Sequence, residues 1–407
     1  MELIFFFIML SMLISFALLA SGCAMPEKEE EPAEAVNEVP ENVISMAIYP
    51  YVPNVELFKQ VLLKQWEELE PDVELKFVPW DSYFKEDPTG IDVITYDAIF
   101  TSFLAENGYI QPISEDYLEN VETMLPFAVD GAYHEGQLYG MPYLVCSHFL
   151  IHYADDAEMA AVENFVELYE VLSRRKAADG GKGLLANYVT DYPYYLLDAM
   201  IDFSGEYTVY EELSDLKSDV KIVEGICSIE QMLAAEPEEK KALASLSRAA
   251  LFNEGIGSAY YGFSEDISFM DDIAENLTIR TISYSDKENI QLFFADIASL
   301  GSHVTSESKK ANCIKLINLL ASEKFQQELC FGTGDVQYML PARQTIYEEA
   351  RKRYPVYNRL YELVMDEQNK IFRFGPEVYT YLMDAYFGAL KDKLLSQETV
   401  KSNESDL

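Results

Sequence analysis

A cysteine near the middle of the chain is the residue whose type and setting point most directly to chemistry. Cys146 lies in residues 139–150 (YGMPYLVCSHFL), a segment that we interpret as a turn followed by a buried strand. A thiol with an ordinary pKa of about 8.5 needs a base or positive surroundings to react as a thiolate nucleophile. His148, two residues on and predicted to share its strand face, is not obviously placed as that base. The alternative is that Cys146 is a buried core thiol.

The remaining cysteines and histidines indicate no further chemistry. Cys227, Cys313 and Cys330 are predicted to be small buried hydrophobes, although a disulfide between the last two stays open. No CxxC motif or zinc-ligand spacing is present. His148 and His152 lie four apart on a predicted strand without a third ligand. We therefore expect no metal site.

The first 42 residues read as a targeting segment and a tether. Residues 3–19 are almost entirely apolar and run into LASGC, which ends at Cys23. That pattern predicts a lipoprotein signal peptide (residues 1–23) with the lipid on Cys23. One feature departs from it, because no basic residue precedes the apolar run. A transmembrane anchor is the alternative, but the run is short for a span. Residues 24–42, rich in Glu, Pro and Ala, predict a disordered acidic tether.

Size and charge limit the classes of function. Roughly 350 residues remain beyond the tether, which is more than one core usually supports, so we expect two lobes. The formal net charge is −40, and no basic cluster is present to meet phosphates. This excludes nucleic acid as a partner and disfavours an anionic ligand. A cationic ligand is favoured, unless the acidic surface serves solubility alone.

The pattern around these residues predicts alternating strands and helices. Strands are expected at residues 43–49, 73–78 and 92–96, with helices beginning at Asn54 and Ala98. Such alternation implies parallel crossovers in one open sheet. Ligands on such sheets bind beyond the carboxyl ends of the strands, where the Tyr49–Tyr51 and Tyr96-Asp97 segments fall. Later segments predict strands at 149–153, 278–282 and 292–296, and helices at 158–175, 307–319 and 345–365.

The body of the chain resembles the type II periplasmic-binding-protein fold. The hairpin that leads to Cys146, the helix start at residues 321–326 (ASEKFQ) and the loop at residues 340–343 (LPAR) carry this resemblance. It implies an α/β, two-lobed protein with a cleft between the lobes. We expect residues 43–145 in the first lobe with part of 297–392 returning to it, 146–296 in the second lobe, and a polar tail at 393–407.

Five motifs together resemble a narrower family, thiaminase type I (thiamine pyridinylase). They follow one another in the family's order from about Val43 to about Arg343: residues 49–53 (YPYVP), 92–100 (DVITYDAIF), 104–109 (LAENGY), the Cys146 segment and 262–265 (GFSE). Each motif is weak alone, but their joint occurrence with the cysteine in place is specific. The resemblance implies a transferase that degrades thiamine by moving its pyrimidinylmethyl group from thiazole to another nucleophile.

The same resemblance implies roles for individual residues. Cys146 corresponds to the nucleophile that adds to the pyrimidine, and Glu265 to the catalytic base. Two carboxylates correspond to groups that hold the aminopyrimidine and three tyrosines to groups that flank a flat ring: Asp97, Asp296, Tyr49, Tyr51 and Tyr83. Phe263 and Phe294 stand where the family has tyrosines, so possible hydroxyl donors are missing.

Two functions from different classes therefore remain. The first is the thiaminase, which needs no cofactor, is expected to be a monomer, and takes thiamine with a nucleophilic co-substrate such as pyridine, an aromatic amine or a thiol. The alternative is a substrate-binding lipoprotein of an ABC importer for thiamine or a related small cation. Only Cys146 and Glu265 favour the enzyme. In either case we expect a secreted protein, lipid-anchored at the outer face of a bacterial membrane.

Overall fold

The computed structural model describes residues 40–81, 87–186, 188–210, 228–229, 231–235, 246–270, 273–284, 290–332 and 336–378. The predicted signal peptide with Cys23, nearly all of the tether, Tyr83, Cys227 and the polar tail lie outside these residues. All of the strands and helices described belong to the body of the chain, which begins at Glu41.

Eight of the described strands form the first of two main sheets. They are β1 (Val43–Ala47), β2 (Glu74–Phe77), β3 (Val93–Asp97), β4 (Ile110–Gln111), β7 (Gly140–Cys146), β12 (Leu292–Gly301), β13 (Leu340–Pro341) and β14 (Lys370–Ile371). The order is β13-β7-β12-β3-β1-β2, with β4 and β14 paired to β12. The predicted parallel pairing of β1 with β2 and β3 is confirmed. The prediction of crossovers alone was incomplete, because β12 enters antiparallel to both β3 and β7.

The second sheet contains β8 (His148–Tyr153), β9 (Leu184–Ala186), β10 (Ala259–Phe263) and β11 (Leu277–Arg280). Its order is β11-β8-β10-β9, with β8 antiparallel to both neighbours. A short hairpin joins β5 (Tyr133–His134) to β6 (Gln137–Leu138). The segment after Cys146 therefore continues as a strand into a second sheet, as the pattern predicts.

Helices cover the sheets, and local sequence sets their ends. Asn54 caps the first helix by accepting from the Leu57 N–H at 3.0 Å, as predicted. The predicted helix at 345–365 is broken before Pro355, because proline disfavours a helical residue ahead of it. The α-helices of the residues that the structure describes are Val55–Leu69, Thr101–Glu106, Pro126–Asp130, Ala157–Ala160, Phe165–Ala178, Tyr188–Ser204, Leu246–Asn253, Glu307–Leu320, Glu323–Phe331, Tyr347–Arg353 and Pro355–Val364.

Along the described strands the chain passes twice from one main sheet to the other, and hydrogen bonds join these two crossings to each other. The first crossing is the single residue Ser147 between β7 and β8, and the second leads from β11 to β12. Ser147 Oγ donates to the Leu292 carbonyl at 2.5 Å, and Gln291 Nε2 donates to the His148 carbonyl at 3.1 Å. Cys146 thus stands at the last strand position before the crossing.

The other described cysteines are structural. Cys313 and Cys330 are free, buried and held in the helices Glu307–Leu320 and Glu323–Phe331. The disulfide between Cys313 and Cys330 that the sequence left open is therefore absent.

None of the helices in the described ranges has the length and apolar character that a bilayer crossing requires.

Candidate active site

The registers of three neighbouring strands place Cys146 and two aspartates on one face of the first sheet. Asp97 at the end of β3 lies opposite Asp296 of β12. Cys146 at the end of β7 lies opposite Phe294 of β12. Because side chains alternate along a strand, Phe294 and Asp296 share a face, and their cross-strand partners lie on it at Cβ separations of about 5 Å.

Glu265 reaches the same site from the second sheet. Strand β10 pairs with β8 so that Phe263 lies opposite His148, next to the crossing. The chain then turns into a 3-10 helix, Ser264–Phe269. After burial, the charge of Glu265 has the largest effect in raising the pKa of the Cys146 thiol. The structure therefore brings together the four predicted residues Cys146, Glu265, Asp97 and Asp296.

The two adjacent acids after β10 have different partners. Asp266 is buried, and its Oδ2 accepts from the Tyr260 hydroxyl at 2.6 Å and from the Phe263 N–H at 2.9 Å. Glu265 accepts from the side chain of Ser264 alone among described side chains, at 3.2 Å. Asp266 thus stabilises the turn through its hydrogen bonds, whereas one carboxyl oxygen of Glu265 accepts no hydrogen bond from a described side chain and can bind a ligand.

Burial raises the pKa values of the three remaining carboxyl groups. Asp97 is 3% exposed and receives one hydrogen bond from the described residues, from the Ile99 N–H at 3.1 Å, so burial raises its pKa to about 7. Burial and then the charge of Asp266 raise the pKa of Glu265 to about 8. Burial, then Asp97 and Glu265, hold the pKa of Asp296 well above its usual range. These three carboxyl groups therefore keep their protons to a higher pH than ordinary carboxyl groups do.

The thiol lies in surroundings that oppose its ionisation. Cys146 is half-buried. Burial, followed by the charges of Glu265, Asp296, Asp97 and Asp266, raises its pKa well above the ordinary value. Ionisation consequently requires a base within the site or a cation brought by a ligand.

His148 does not share a strand face with Cys146, so that expectation is wrong. Ser147 separates the two strands, and His148 begins β8 in the other sheet. Its ring packs 4.3 Å from the Phe263 ring and 4.8 Å from the Tyr195 ring. The chain changes sheets at this point, and alternation within one strand cannot reveal such a change.

Two of the three predicted tyrosines lie just beyond β1. Tyr49 is buried, Tyr51 is 51% exposed, and their rings are 5.2 Å apart at an angle of 58°. The Tyr49 N–H donates to Thr95 Oγ1 at 2.7 Å, which joins this loop to β3. The Tyr51 hydroxyl donates to Asp81 at 2.8 Å. The third, Tyr83, lies outside the described residues.

Sequence reasoning named Phe263 and Phe294 but missed the aromatic wall beside the thiol to which they belong. The Phe294 ring stacks on Phe372 at 5.1 Å and lies 5.4 Å from Tyr194 and 5.9 Å from Phe263. Phe372 follows β14, which pairs with β12 at the start of that strand. Only this long-range pairing could have revealed Phe372, because no local motif surrounds it.

Tyr143 was missed as well. It is fully buried on β7, and the nearby charge of Asp296 helps burial to raise its pKa. Its hydroxyl therefore lies close enough to Asp296 to interact with it.

No group of three or more His, Cys, Asp or Glu side chains within the described ranges could hold a metal ion.

Comparisons with known proteins identify relatives of this arrangement. Residues 147–285 match the family model of the Thiaminase-1 domain. The chain is 35% identical over 354 residues to Thiaminase-1 of Paenibacillus thiaminolyticus, with 84% of this chain and 86% of that protein covered.

Solved structures agree with these sequence matches. Thiaminase I from Bacillus thiaminolyticus superposes with a TM-score of 0.78 at 34% identity, over 86% of this chain and 99% of that one. Clostridium botulinum thiaminase I in complex with thiamin gives 0.78 at 29% identity, over 87% and 99%. Maltose-bound MalE3 of T. maritima, at 16% identity and a TM-score of 0.66 over 87% and 95%, shares the fold alone. The predicted two-lobed periplasmic-binding-protein-like fold is therefore confirmed.

Proposed function

The chain belongs to the thiaminase-1 family of thiamine-degrading transferases, and we propose that it moves the pyrimidinylmethyl group of thiamine from thiazole to another nucleophile through a covalent adduct on Cys146. One observation carries the proposal. A half-buried thiol shares a sheet face with two buried aspartates, and Glu265 acts on it from the opposite sheet.

The carboxyl groups suit the two halves of thiamine. An aminopyrimidine offers N–H donors and ring-nitrogen acceptors, and a carboxyl with a pKa of about 7, such as that of Asp97, can accept from the first or donate to the second. One Asp97 oxygen accepts from the Ile99 N–H, and no described residue donates to the other, which leaves it for the substrate. The positive thiazolium relieves the repulsion among Asp97, Asp296 and Glu265. Tyr49 and Tyr51 offer ring faces to the flat cation.

Glu265 is the residue that we assign as the base. Moving the thiol proton from Cys146 to Glu265 leaves the net charge of the site unchanged, which matters where neighbouring carboxylates oppose any new negative charge. The Glu265 pKa of about 8 is closer to that of a thiol than an ordinary carboxyl pKa is, so the transfer is less unfavourable. The incoming thiazolium lowers the cost of the thiolate further.

The exchange then proceeds in two displacements that balance. The thiolate forms a bond to a pyrimidine ring carbon, and the ring loses its aromaticity. The bond between the methylene and the thiazolium nitrogen breaks, its electron pair stays on nitrogen, and neutral thiazole leaves. The second nucleophile forms a bond to the methylene, and the ring regains aromaticity as the bond to Cys146 breaks. The released thiolate recovers its proton from Glu265. Covalent catalysis thus replaces one difficult displacement with two easier ones.

Product analysis tests this function. The chain from Val43 onward is incubated with thiamine and pyridine, and the products are identified by mass spectrometry. We expect free thiazole and a pyrimidinylmethyl-pyridinium ion, with both lost in Cys146→Ser. Thiamine that is bound but recovered intact with every nucleophile offered would instead support the importer-binding protein and overturn the enzyme.

We also propose that the mature protein is a monomer carrying a lipid on Cys23 at the outer face of a bacterial membrane. The apolar run and the LASGC sequence support the anchor. Expression of the full chain with a labelled fatty acid should label the wild type and leave Cys23→Ala unlabelled and released from membranes. Equal membrane retention of both would contradict the anchor.

A further inference from the structure

Tyr143 carries a buried hydroxyl group that the exchange reaction, as described above, does not use. The residue is fully buried, and its ring packs 5.9 Å from the Phe58 ring. No described residue accepts from this hydroxyl in a hydrogen bond of ordinary geometry. A buried polar group without a partner is unfavourable, because its hydrogen bonds to water are lost without replacement. Such a hydroxyl indicates an acceptor that comes within reach when the site binds its ligand.

A shift of strand register, of the β-bulge type, sets the direction of this side chain. Leu144 of β7 lies opposite Asp296 of β12. The next pair joins Pro142 to Ile297, so β7 takes two steps where β12 takes one, and Tyr143 is the extra residue. A bulge interrupts the alternation of side chains and often re-aims one of them beside an active site. Tyr143 is therefore not confined to the face that alternation with Leu144 would give it.

The neighbours of the hydroxyl place it on the side of the sheet that carries the reacting groups. After burial, the charge of Asp296 has the largest effect in raising the pKa of Tyr143, while Thr95 beside it acts in the opposite direction. Thr95 shares a face of β3 with Asp97, because the two residues are two apart on one strand. Thr95 Oγ1 already donates to the Ala47 carbonyl at 2.9 Å. The hydroxyl thus lies among the carboxyl groups, at greater depth than Asp296.

Asp296 is an acceptor that lacks a donor. Within the described ranges no hydrogen-bond donor acts on its carboxyl group, whose pKa is raised by burial, then by Asp97 and Glu265. It is 7% exposed and open to a ligand, whereas Tyr143 is enclosed. Tyr143 can consequently influence a bound substrate only through a neighbour such as Asp296.

From the register shift, the enclosed hydroxyl and the carboxyl without a described donor, we propose that Tyr143 is a positioning residue, which donates a hydrogen bond to ionised Asp296 when thiamine is bound. The positive charge of thiamine favours the ionised carboxyl, and a carboxylate accepts a stronger hydrogen bond than a neutral group does. The bond fixes the orientation of the carboxylate and favours its ionised form. The inference rests on the proposed base exchange and adds a residue to it.

The pH dependence of Tyr143→Phe tests this role. Loss of the donor raises the pKa of Asp296, so a larger share of this carboxyl is protonated at any given pH. We expect the acid limb of kcat/KM for thiamine, measured with pyridine, to move up by about one pH unit. Asp97, Glu265 and the Cys146 thiol face the same site and also titrate, and the variant leaves all three in place. An unmoved limb, or one that moves to lower pH, would overturn the proposal.

Stability supplies a second measurement and a matched control. Tyr143→Phe removes a hydroxyl without a described partner, so its melting temperature without thiamine should equal or exceed that of the wild type. Tyr347 is also fully buried, but its hydroxyl donates to the Pro341 carbonyl at 2.9 Å. Tyr347→Phe should therefore lower the melting temperature and leave the pH profile unchanged. A lower melting temperature for Tyr143→Phe, or its failure to fold, would make Tyr143 a structural residue and overturn the proposal.

Thiamine binding separates this inference from the base exchange on which it rests. Titration calorimetry on Cys146→Ser measures binding without turnover. There, added Tyr143→Phe should weaken thiamine binding about tenfold at about pH 6, and about twofold or less when Asp296→Asn removes the ionisable acceptor. Equal weakening with and without Asp296→Asn would overturn the action of Tyr143 through Asp296. The expected pattern in binding, with no products from the wild type and any nucleophile, would instead overturn the base exchange alone.

Discussion

Two buried aspartates stand at opposite ends of the same strand, and their pKa values are shifted in opposite directions. Asp92 precedes β3 and is 1% exposed. It accepts from the Ser45 N–H at 2.8 Å, from His303 at 3.0 Å and from Lys309 at 2.9 Å. Burial alone would raise its pKa, but these partners outweigh it and lower the pKa. Asp97 ends the strand, the Ile99 N–H is its one donor in the described part of the chain, and its pKa rises to about 7.

The difference shows which carboxyl is structural and which is available to a ligand. Burial costs each aspartate solvation, and at Asp92 the partners reverse its effect on the pKa. Asp92 fastens the start of β3 to β1 and to the helix Glu307–Leu320. Among the described residues, Asp97 has no such charged partners at the end of the strand where α/β sheets usually bind ligands. Substitutions at the two ends should therefore separate stability from activity.

Cys146→Ser should produce the largest separation. It removes the nucleophile at the binding end and changes a half-buried atom by little, so the fold should remain. We expect kcat for thiamine cleavage to fall by about 10³-fold or more, with thiamine binding and the melting temperature nearly unchanged. Steady-state rates, calorimetric titration and thermal unfolding measure the three quantities. A variant that cleaves thiamine within tenfold of the wild-type rate would contradict the assignment.

Glu265→Gln and Asp266→Asn, which change neighbouring residues of one turn, should likewise separate an effect on activity from an effect on stability. The first should reduce kcat by about 10²- to 10³-fold without loss of stability, because it removes a general base that makes few contacts. The second should lower the free energy of unfolding by about 1–3 kcal/mol, because Asp266 holds Tyr260 and the Phe263 N–H. Urea unfolding and steady-state kinetics on both variants check this. Reversed effects would exchange the roles of the two acids.

Asp92→Asn and Asp97→Asn test the comparison itself. Asp92→Asn leaves Lys309 buried without its counter-charge and should lower the free energy of unfolding by about 3–5 kcal/mol. Asp97→Asn should leave stability at neutral pH equal or slightly higher, while raising KM for thiamine. Similar losses of stability in both, measured by urea unfolding, would show that Asp97 is a second structural residue.

The pH dependence of stability should distinguish the two aspartates more finely. A carboxyl with a raised pKa, such as Asp97, contributes stability that is present below its unfolded pKa and lost as pH rises through about 7. Without thiamine, the wild type should therefore lose stability relative to Asp97→Asn between about pH 4 and about pH 7. Asp92, with its lowered pKa, contributes stability above its unfolded pKa that is lost as pH falls. Urea titrations at several pH values measure both, and a pH-independent difference at Asp97 would be inconsistent with its raised pKa.

Local sequence patterns predicted most of the elements but fewer of their connections. Strands β1 to β3, the Asn54 cap and the strand after Cys146 follow from periodicity and capping, which are local. The antiparallel entry of β12 was not predictable in that way, because its partners are about 150 to 200 residues distant in sequence. The place of Asp296 opposite Asp97 depends on that entry.

The candidate site shows the same division. The family resemblance named Cys146, Glu265, Asp97 and Asp296, and their geometry agrees with a common site. Motifs could not show that Asp266 accepts hydrogen bonds from Tyr260 and Phe263, since these bonds depend on the conformation of the turn after β10. His148 was misplaced because the chain changes sheets at Ser147, where strand alternation ends.

The most direct test of covalent catalysis is to identify the atom that carries the pyrimidinylmethyl group during the reaction. Excess enzyme is mixed with thiamine without an added nucleophile, quenched in acid, digested and analysed by mass spectrometry. We expect the group on the peptide containing residues 139–150, at Cys146, and its loss when pyridine is added before the quench. Stoichiometric release of thiazole with Cys146 unmodified, and the group on another residue, would contradict the proposed mechanism.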